Sequence, residues 1–177
     1  MKKEYIVFLD FDGPLFSNRA LMLLENHEFA KMNLKDLKLN PLVTYWYADP
    51  IAIAMLVHLY HFRPFKIVVS SAWGELHTKE QIEKLLKKNG LGIPLHENWK
   101  IDTSIGNKPE QIKDWLHKNN YQGYMVVDDN LSGEDFNNIQ LINELGLDSN
   151  QFVIVSVNDG ISYQDYYKMK AISANWD

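Results

Sequence analysis

The sequence contains no cysteine, and this absence excludes several kinds of site. Without thiols the chain has no disulfide framework, no thiolate metal site and no cysteine nucleophile. It also lacks an apolar run long enough to cross a membrane, which takes about 20 such residues in a helix. The apolar run near the amino terminus, residues 5–9, is too short for the core of a secretory signal peptide. We therefore expect a cytoplasmic protein without membrane contact.

Arginine is scarce as well, and acidic residues outnumber basic ones. The chain has two arginines and a formal net charge of -5 at pH 7. This balance argues against a broad nucleic-acid-binding surface, while a local basic groove remains compatible with it. No feature of the sequence indicates an obligate protein partner.

The composition that remains is that of an ordinary globular domain. Hydrophobic residues make up 46% and charged residues 23% of the 177 residues, which is enough for a sizeable core. We find no internal repeat and no low-complexity segment. We interpret residues 1–177 as a single domain.

Short apolar runs alternate with helical patterns along the chain. The runs are continuous, which is typical of strands buried on both faces of a parallel sheet. The predicted strands are residues 5–9, 65–70, 124–127 and 152–157, with a weaker one at 98–101. The predicted helices are residues 50–62, 74–90, 108–120, 132–146 and 162–172. This order predicts an α/β fold, a three-layer Rossmann-like open sheet that is mostly parallel.

One segment interrupts the alternation. Residues 16–50 are too long for a simple turn, and we interpret them as a small cap-like insertion over one end of the sheet, with a helix at 18–33. The segment carries the aromatic cluster Tyr45, Trp46 and Tyr47. These rings could stack on a substrate base or fill the core beneath the insertion.

Polar residues follow the predicted strands at the points where the strands end. Because ligands bind beyond the carboxyl ends of parallel strands, we expect these side chains to share one site. They are Asp10, Asp12, Ser70, Ser71, Asp128 and Asp129, joined by Lys108 at the start of a predicted helix.

Four carboxylates in one cleft need compensation. Two unit charges ~4 Å apart repel by about 4 kcal/mol at an effective dielectric constant of ~20. An all-oxygen ligand set suits a hard cation, and we expect Mg²⁺. Lys108 indicates a bound anion, since a lysine at a helix amino terminus faces the positive end of the helix dipole.

The motifs DFDGPL, IVVSS, GNKPEQI and VVDDN, in this order between residues 6 and 130, resemble those of the haloacid dehalogenase-like superfamily of aspartate-nucleophile phosphatases. The small size, the short insertion and the sequence SSAW after the second strand are most similar to nucleotidase or polynucleotide-phosphatase-like members with little or no cap. Some of those members occur as domains in RNA-repair proteins. The chain departs from the common pattern at Pro14 and at the Ser70-Ser71 pair.

The resemblance implies a catalytic role for four residues. Asp10 would attack phosphorus and form an aspartyl-phosphate, while Asp12 would protonate the leaving oxygen and then activate water. Ser70 would bind a phosphoryl oxygen, and Lys108 would offset negative charge on the nucleophile and the phosphate.

The resemblance also implies the ligands of the metal. Mg²⁺ would contact Asp10, the backbone carbonyl of Asp12 and Asp129, with Asp128 binding directly or through water.

Four further residues are candidates for substrate binding. Gly13 permits a sharp exit from the first strand, and Ser71 competes with Ser70 for the phosphate, although we favour Ser70. Trp73 and Arg19 lie close to the motifs in sequence. Arg19 could contact a substrate phosphate or be an exposed helix residue.

The function that this reading favours is a Mg²⁺-dependent phosphomonoester hydrolase acting on nucleotides or nucleic-acid ends, with a phosphorylated small molecule as the wider substrate class. Asp12 disfavours dehalogenation, which needs no acid two residues after the nucleophile. Two alternatives stay open: a non-catalytic phosphate-binding or regulatory module on the same fold, and a phosphotransferase with an acceptor other than water.

Overall fold

Five parallel strands form the centre of the protein, for which a computed structural model describes residues 4–26, 47–130 and 139–176. The strands are β1 (Tyr5–Leu9), β2 (Lys66–Val69), β3 (Leu95–Lys100), β4 (Gly123–Asp128) and β5 (Phe152–Ile154). Their order in the sheet is β3-β2-β1-β4-β5, and each neighbouring pair is parallel. The predicted Rossmann-like open sheet is confirmed, and it is parallel throughout the described residues.

Helices cover both faces of the sheet. They are α1 (Asn18–Leu21), α2 (Pro50–Phe62), α3 (Trp73–Leu76), α4 (Lys79–Lys88), α5 (Lys108–Lys118), α6 (Ile139–Glu144) and α7 (Tyr163–Ala174), with a 3-10 turn at Ser149–Gln151. Val7 and Leu9 of β1 pack with α2, α4 and α7, whereas Ile6 and Phe8 pack with α5 and α6. Because successive strand residues point to opposite faces, the continuous apolar run of β1 produces the three layers.

The helix boundaries agree with the sequence patterns in most places. Pro50 opens α2, whose amino terminus is capped by Asp49. Ser162 and Asp165 form the expected capping box at the start of α7. The helix predicted at 74–90 is two helices in the structure, because Thr78 forms a capping box with Gln81 and begins α4 anew.

Part of the predicted insertion at 16–50 lies outside the described residues. Only four residues of the predicted helix at 18–33 form α1, and residues 27–46, with Tyr45 and Trp46, are not described. The single-domain reading with a cap-like insertion stays a prediction. Residues 131–138, which include the start of the helix predicted at 132–146, are also outside the described part.

Within the described ranges, none of the helices combines the length and the apolar character that crossing a bilayer requires.

Candidate active site

The polar residues gather at the carboxyl edge of the sheet, around the central strand β1. The chain moves from β1 outward through β2 to β3, and then returns to the other side of β1 as β4. Such a reversal leaves a crevice beyond the strand ends, where open α/β sheets bind ligands. A cavity of about 430 Å³ occupies this position, lined by Asp10, Asp12, Ser70, Ser71, Ala72, Glu75, Thr103, Lys108, Gln111 and Asp129.

The loop after β1 is held by its own backbone. Asp10 N donates to Val127 O of β4 at 3.0 Å, and the amides of Leu15 and Phe16 both donate to Phe11 O. Gly13 has a φ of +81°, and a Cβ at this position would overlap the side chain of Asp129. Gly13 therefore serves the tight turn and the close approach of the loop to Asp129.

Lys108 joins two of the carboxylates. Its Nζ lies 2.7 Å from Asp128 Oδ2 and 3.3 Å from Asp10 Oδ2. All three side chains are buried, and Asp128 is fully so. Lys108 occupies the first position of α5, which Asn107 and Glu110 fix with a capping box. The start of this helix thus aims a buried cation at the end of β1.

Among the described residues the charges around Asp10 do not balance. Burial raises the pKa of Asp10 to about 7, and the neighbouring carboxylate of Asp128 adds to this rise. The Lys108 ammonium opposes it, as do hydrogen bonds from Ser71 and from the Phe11 amide. One ammonium does not compensate two buried carboxylates, which is the condition that a further cation would relieve.

Asp12 differs from Asp10 in its surroundings. Its carboxylate stays partly exposed to the cavity, and burial of the remainder raises its pKa. Trp73 Nε1 donates to Asp12 Oδ2 at 3.1 Å. This hydrogen bond and the positive charge of Lys108 lower the pKa in part. A carboxyl group with a raised pKa in a cleft is suited to proton transfer.

The two serines after β2 have different partners. Ser71 bonds to Asp10 and accepts a hydrogen bond from Trp73 N at 3.4 Å. Ser70 is 1% exposed, and within the described part of the chain its Oγ has no hydrogen-bond partner. Because buried hydroxyls are normally paired, this oxygen is suited to bind a ligand that enters the cavity.

The acidic residues are suitable for a metal ion. Asp10, Asp128 and Asp129 each offer an oxygen atom, and these atoms lie within 4.8 Å of one another. Carboxylates alone are the ligands that a hard divalent cation prefers. The carboxylate of Asp12 is not in this group, and a metal contact through its backbone carbonyl stays a prediction.

Two of the residues predicted to bind substrate have partners within the chain. Trp73 is 8% exposed and stacks on Phe16, with ring centroids 5.1 Å apart. Arg19 forms an ion pair with the buried Asp49, with Nε and Oδ2 2.7 Å apart, and is not among the residues that line the cavity.

Sequence reasoning missed three polar residues of the cavity. Thr103 follows β3. The predicted strand at 98–101 covers only part of β3, so the sequence did not show clearly where this strand ends. Gln111 lies three residues after Lys108 on the same helix face, and its Nε2 donates to the carbonyls of Ile105 and Gly106. Glu75 lies in α3, where the pattern gave no signal. The helical spacing could have identified Gln111.

Comparison with known proteins gives one match. A family model described as the HAD domain in Swiss Army Knife RNA repair proteins matches residues 6–165. No curated protein and no solved structure matches the chain. The matched range contains all four motifs and every residue that lines the cavity. The chain therefore belongs to the HAD domains of Swiss Army Knife RNA repair proteins, within the haloacid dehalogenase-like superfamily of phosphatases.

Proposed function

We propose that the protein is a Mg²⁺-dependent phosphomonoester hydrolase that acts on phosphorylated nucleic-acid ends through an aspartyl-phosphate intermediate. The observation that carries this proposal is the group at the end of β1. Asp10 lines the cavity beside the Lys108 ammonium, 3.3 Å away, and the hydroxyl of Ser70, which has no hydrogen-bond partner among the described residues, lines the same cavity. A nucleophile, a cation and a free donor around one space are the parts that phosphoryl transfer needs.

In the first step, an oxygen of Asp10 attacks phosphorus and forms the aspartyl-phosphate. The bond from phosphorus to the leaving oxygen breaks, and that oxygen takes a proton from Asp12. In the second step Asp12 removes a proton from water, which attacks phosphorus and returns Asp10 to its carboxylate. Lys108 stabilises the negative charge that the phosphoryl oxygens carry, and Ser70 donates to one of them.

Asp10, Asp128, Asp129 and the backbone carbonyl of Asp12 would hold Mg²⁺. Such an ion, when bound, supplies Lewis acidity and orients the phosphate. Lys108 already pairs with Asp128 and Asp10 and so offsets part of the negative charge at this site.

The substrate class is argued from the family, whose description refers to RNA repair. Nucleotides and other small phosphomonoesters are the alternative substrates within the same chemistry. The test is a phosphate-release screen over oligonucleotides with 3′- or 5′-phosphates, nucleoside monophosphates, sugar phosphates and phosphopeptides. We expect the highest kcat/KM on one class of oligonucleotide end. Preference for a sugar phosphate or a phosphopeptide would contradict the substrate assignment.

Two controls separate the chemistry from the substrate. Asp10→Asn should abolish turnover and leave the fold intact, because the amide has almost the same shape and is not a nucleophile. EDTA should silence the wild type, and Mg²⁺ should restore it. Turnover by Asp10→Asn equal to that of the wild type, or activity that persists without divalent metal, would contradict the mechanism. Binding of phosphorylated ends without turnover would favour the non-catalytic module, and transfer of phosphate to an added alcohol in preference to water would favour the phosphotransferase.

A further inference from the structure

We propose that Trp73 is a positioning residue for Asp12, and that it assigns the transferred proton to Asp12 Oδ1. The inference rests on the proposed function, in which Asp12 is the general acid. It names the oxygen of Asp12 that carries the proton and predicts which substrates depend on the hydrogen bond from Trp73.

The contact is a single hydrogen bond from a rigid donor. Trp73 Nε1 lies 3.1 Å from Asp12 Oδ2. The indole is stacked on Phe16, with an interplanar angle of 11°, and it also contacts Phe11 with ring centroids 5.8 Å apart. Phe11 and Phe16 belong to the same loop as Asp12. The indole therefore packs against two aromatic rings of this loop. Its N–H donates to the carboxylate of Asp12, which lies between them in sequence.

Asp12 needs such a partner more than Asp10 does. Asp10 is buried and is held by Lys108, by Ser71 and by the Phe11 amide. Asp12 is an exposed side chain at the edge of the cavity, and among the described residues it is Trp73 whose side chain donates a hydrogen bond to it. Without that bond the carboxylate of Asp12 can rotate about its Cβ–Cγ bond. A carboxyl group that rotates spends less time oriented toward the leaving oxygen, and its effective concentration as an acid falls.

The chemistry of the indole decides which oxygen carries the proton. An indole N–H is a donor only, so the oxygen that faces it is an acceptor. Asp12 Oδ2 is that oxygen, and a proton on Oδ2 would weaken the hydrogen bond with Trp73. The proton of the acid form therefore sits on Oδ1. During the first step it passes from Oδ1 to the leaving oxygen, which also takes the electron pair of the broken bond to phosphorus, while Asp10 forms the new bond.

This assignment predicts a dependence on the leaving group. A sugar hydroxyl is a poor leaving group and needs the proton, whereas dinitrophenolate departs without one. Loss of the Trp73 hydrogen bond should therefore slow the first step on a phosphorylated oligonucleotide much more than formation of the aspartyl-phosphate from 2,4-dinitrophenyl phosphate. A general loss of folding or of metal would slow both substrates equally.

The experiment compares Trp73→Phe with the wild type on these two substrates in the presence of Mg²⁺. Phenylalanine keeps a ring against Phe16 and removes the N–H. We expect kcat on a phosphorylated oligonucleotide to fall by about 10- to 100-fold with KM nearly unchanged, a part of the ~10²- to 10⁴-fold that general acid–base catalysis contributes. On 2,4-dinitrophenyl phosphate we expect formation of the aspartyl-phosphate, measured as the burst of dinitrophenolate, to change less than about 3-fold.

Trp115→Phe is the matched control. Trp115 is also buried, and its Nε1 donates to Asn98 O at 2.8 Å, away from the cavity. We expect this variant to keep the wild-type ratio of the two activities. Should Trp73→Phe fail to fold, the isosteric benzothienylalanine at position 73 removes the N–H with almost no change of shape, and the same ratio is measured.

The outcomes separate this inference from the proposed function. Equal loss on both substrates, or no loss on the oligonucleotide, would overturn the role of Trp73 and leave the phosphatase proposal intact. A wild-type protein that hydrolyses neither substrate would overturn the proposed function, and with it the role of Trp73.

Discussion

The two edges of the sheet differ in the burial and the balance of their charged side chains. At the amino edge Glu4 pairs with Lys66 at 2.7 Å, and both side chains keep about a third of their surface exposed. Tyr5 stacks on Trp176, and its hydroxyl donates to Trp176 O. At the carboxyl edge Asp10 and Asp128 share the single ammonium of Lys108, and all three are buried.

The difference teaches what each edge is for. Paired charges in water stabilise a fold weakly and cost little. Buried carboxylates that outnumber their cation are unfavourable for folding, and such arrangements are typical of functional sites. If the proposed function holds, the carboxyl edge gives up stability for catalysis, and four measurements can test the contrast between the edges.

The largest effect should come from removing the shared cation. Lys108→Met leaves the buried carboxylates of Asp10 and Asp128 without their partner, and we expect a loss of about 3 kcal/mol in the free energy of unfolding. Lys66→Met at the amino edge should cost less than about 1 kcal/mol. Urea unfolding in EDTA measures both. Similar losses for the two variants would show that the edges do not differ in this way.

The next effect should come from removing one hydroxyl group at each edge. Ser70→Ala should lower kcat by about 10²-fold, as the loss of one donor to a developing charge does. The free energy of unfolding should hardly change, since within the described residues Ser70 Oγ has no partner to lose. Tyr5→Phe at the amino edge should have the opposite effects. Its activity should be unchanged, and its free energy of unfolding should fall by about 1 kcal/mol because the hydrogen bond to Trp176 O is lost. A Ser70→Ala protein with full activity would remove Ser70 from the phosphate site.

A smaller effect should appear when Asp10, the proposed nucleophile, is neutralised. Asp10→Asn should stabilise the metal-free protein by about 1 kcal/mol at pH 8, as substitutions at strained functional residues can. The pKa of Asp10 is about 7 in the folded protein against an ordinary value of 3.8. The wild type therefore loses stability as the pH rises from about 4 to 7, and the advantage of the variant should grow over this range.

Thermal unfolding in EDTA and in Mg²⁺ is the measurement. Mg²⁺ should reduce the advantage of Asp10→Asn, because the ion relieves the repulsion in the wild type. Glu4→Gln, which loses only an exposed pair, should not stabilise the protein in either buffer. An advantage that is independent of pH would contradict the electrostatic explanation.

The smallest effect should arise at the amino edge from His96. Burial lowers the pKa of His96, although Glu4 raises it in part. Below pH 6.5 the unfolded chain binds a proton that the folded chain resists, so His96 should destabilise the protein as the pH falls through this value. Relative to the wild type, His96→Gln should gain stability as the pH falls from 7.5 to 5.5. An unchanged pH dependence would remove His96 as its source.

Much of the fold and the placement of the site follow from the sequence. The continuous apolar runs predicted parallel strands, and the carboxyl ends of parallel strands meet at one edge. Asp10, Ser70 and Asp128 therefore had to lie near each other wherever the intervening helices packed. The predicted helix at 74–90 was wrong in one respect, because the capping box at Thr78 was overlooked within an amphipathic pattern.

Strand ends and helix caps are local features, which a single sequence can display. The partners of side chains are not local, since they depend on how distant segments pack and on rotations within each side chain. Asp12 and Trp73 are 61 residues apart, and Arg19 and Asp49 are 30 apart. The folded chain was needed to turn the indole of Trp73 toward Asp12, to pair Arg19 with Asp49 and to leave Ser70 Oγ without a partner among the described residues.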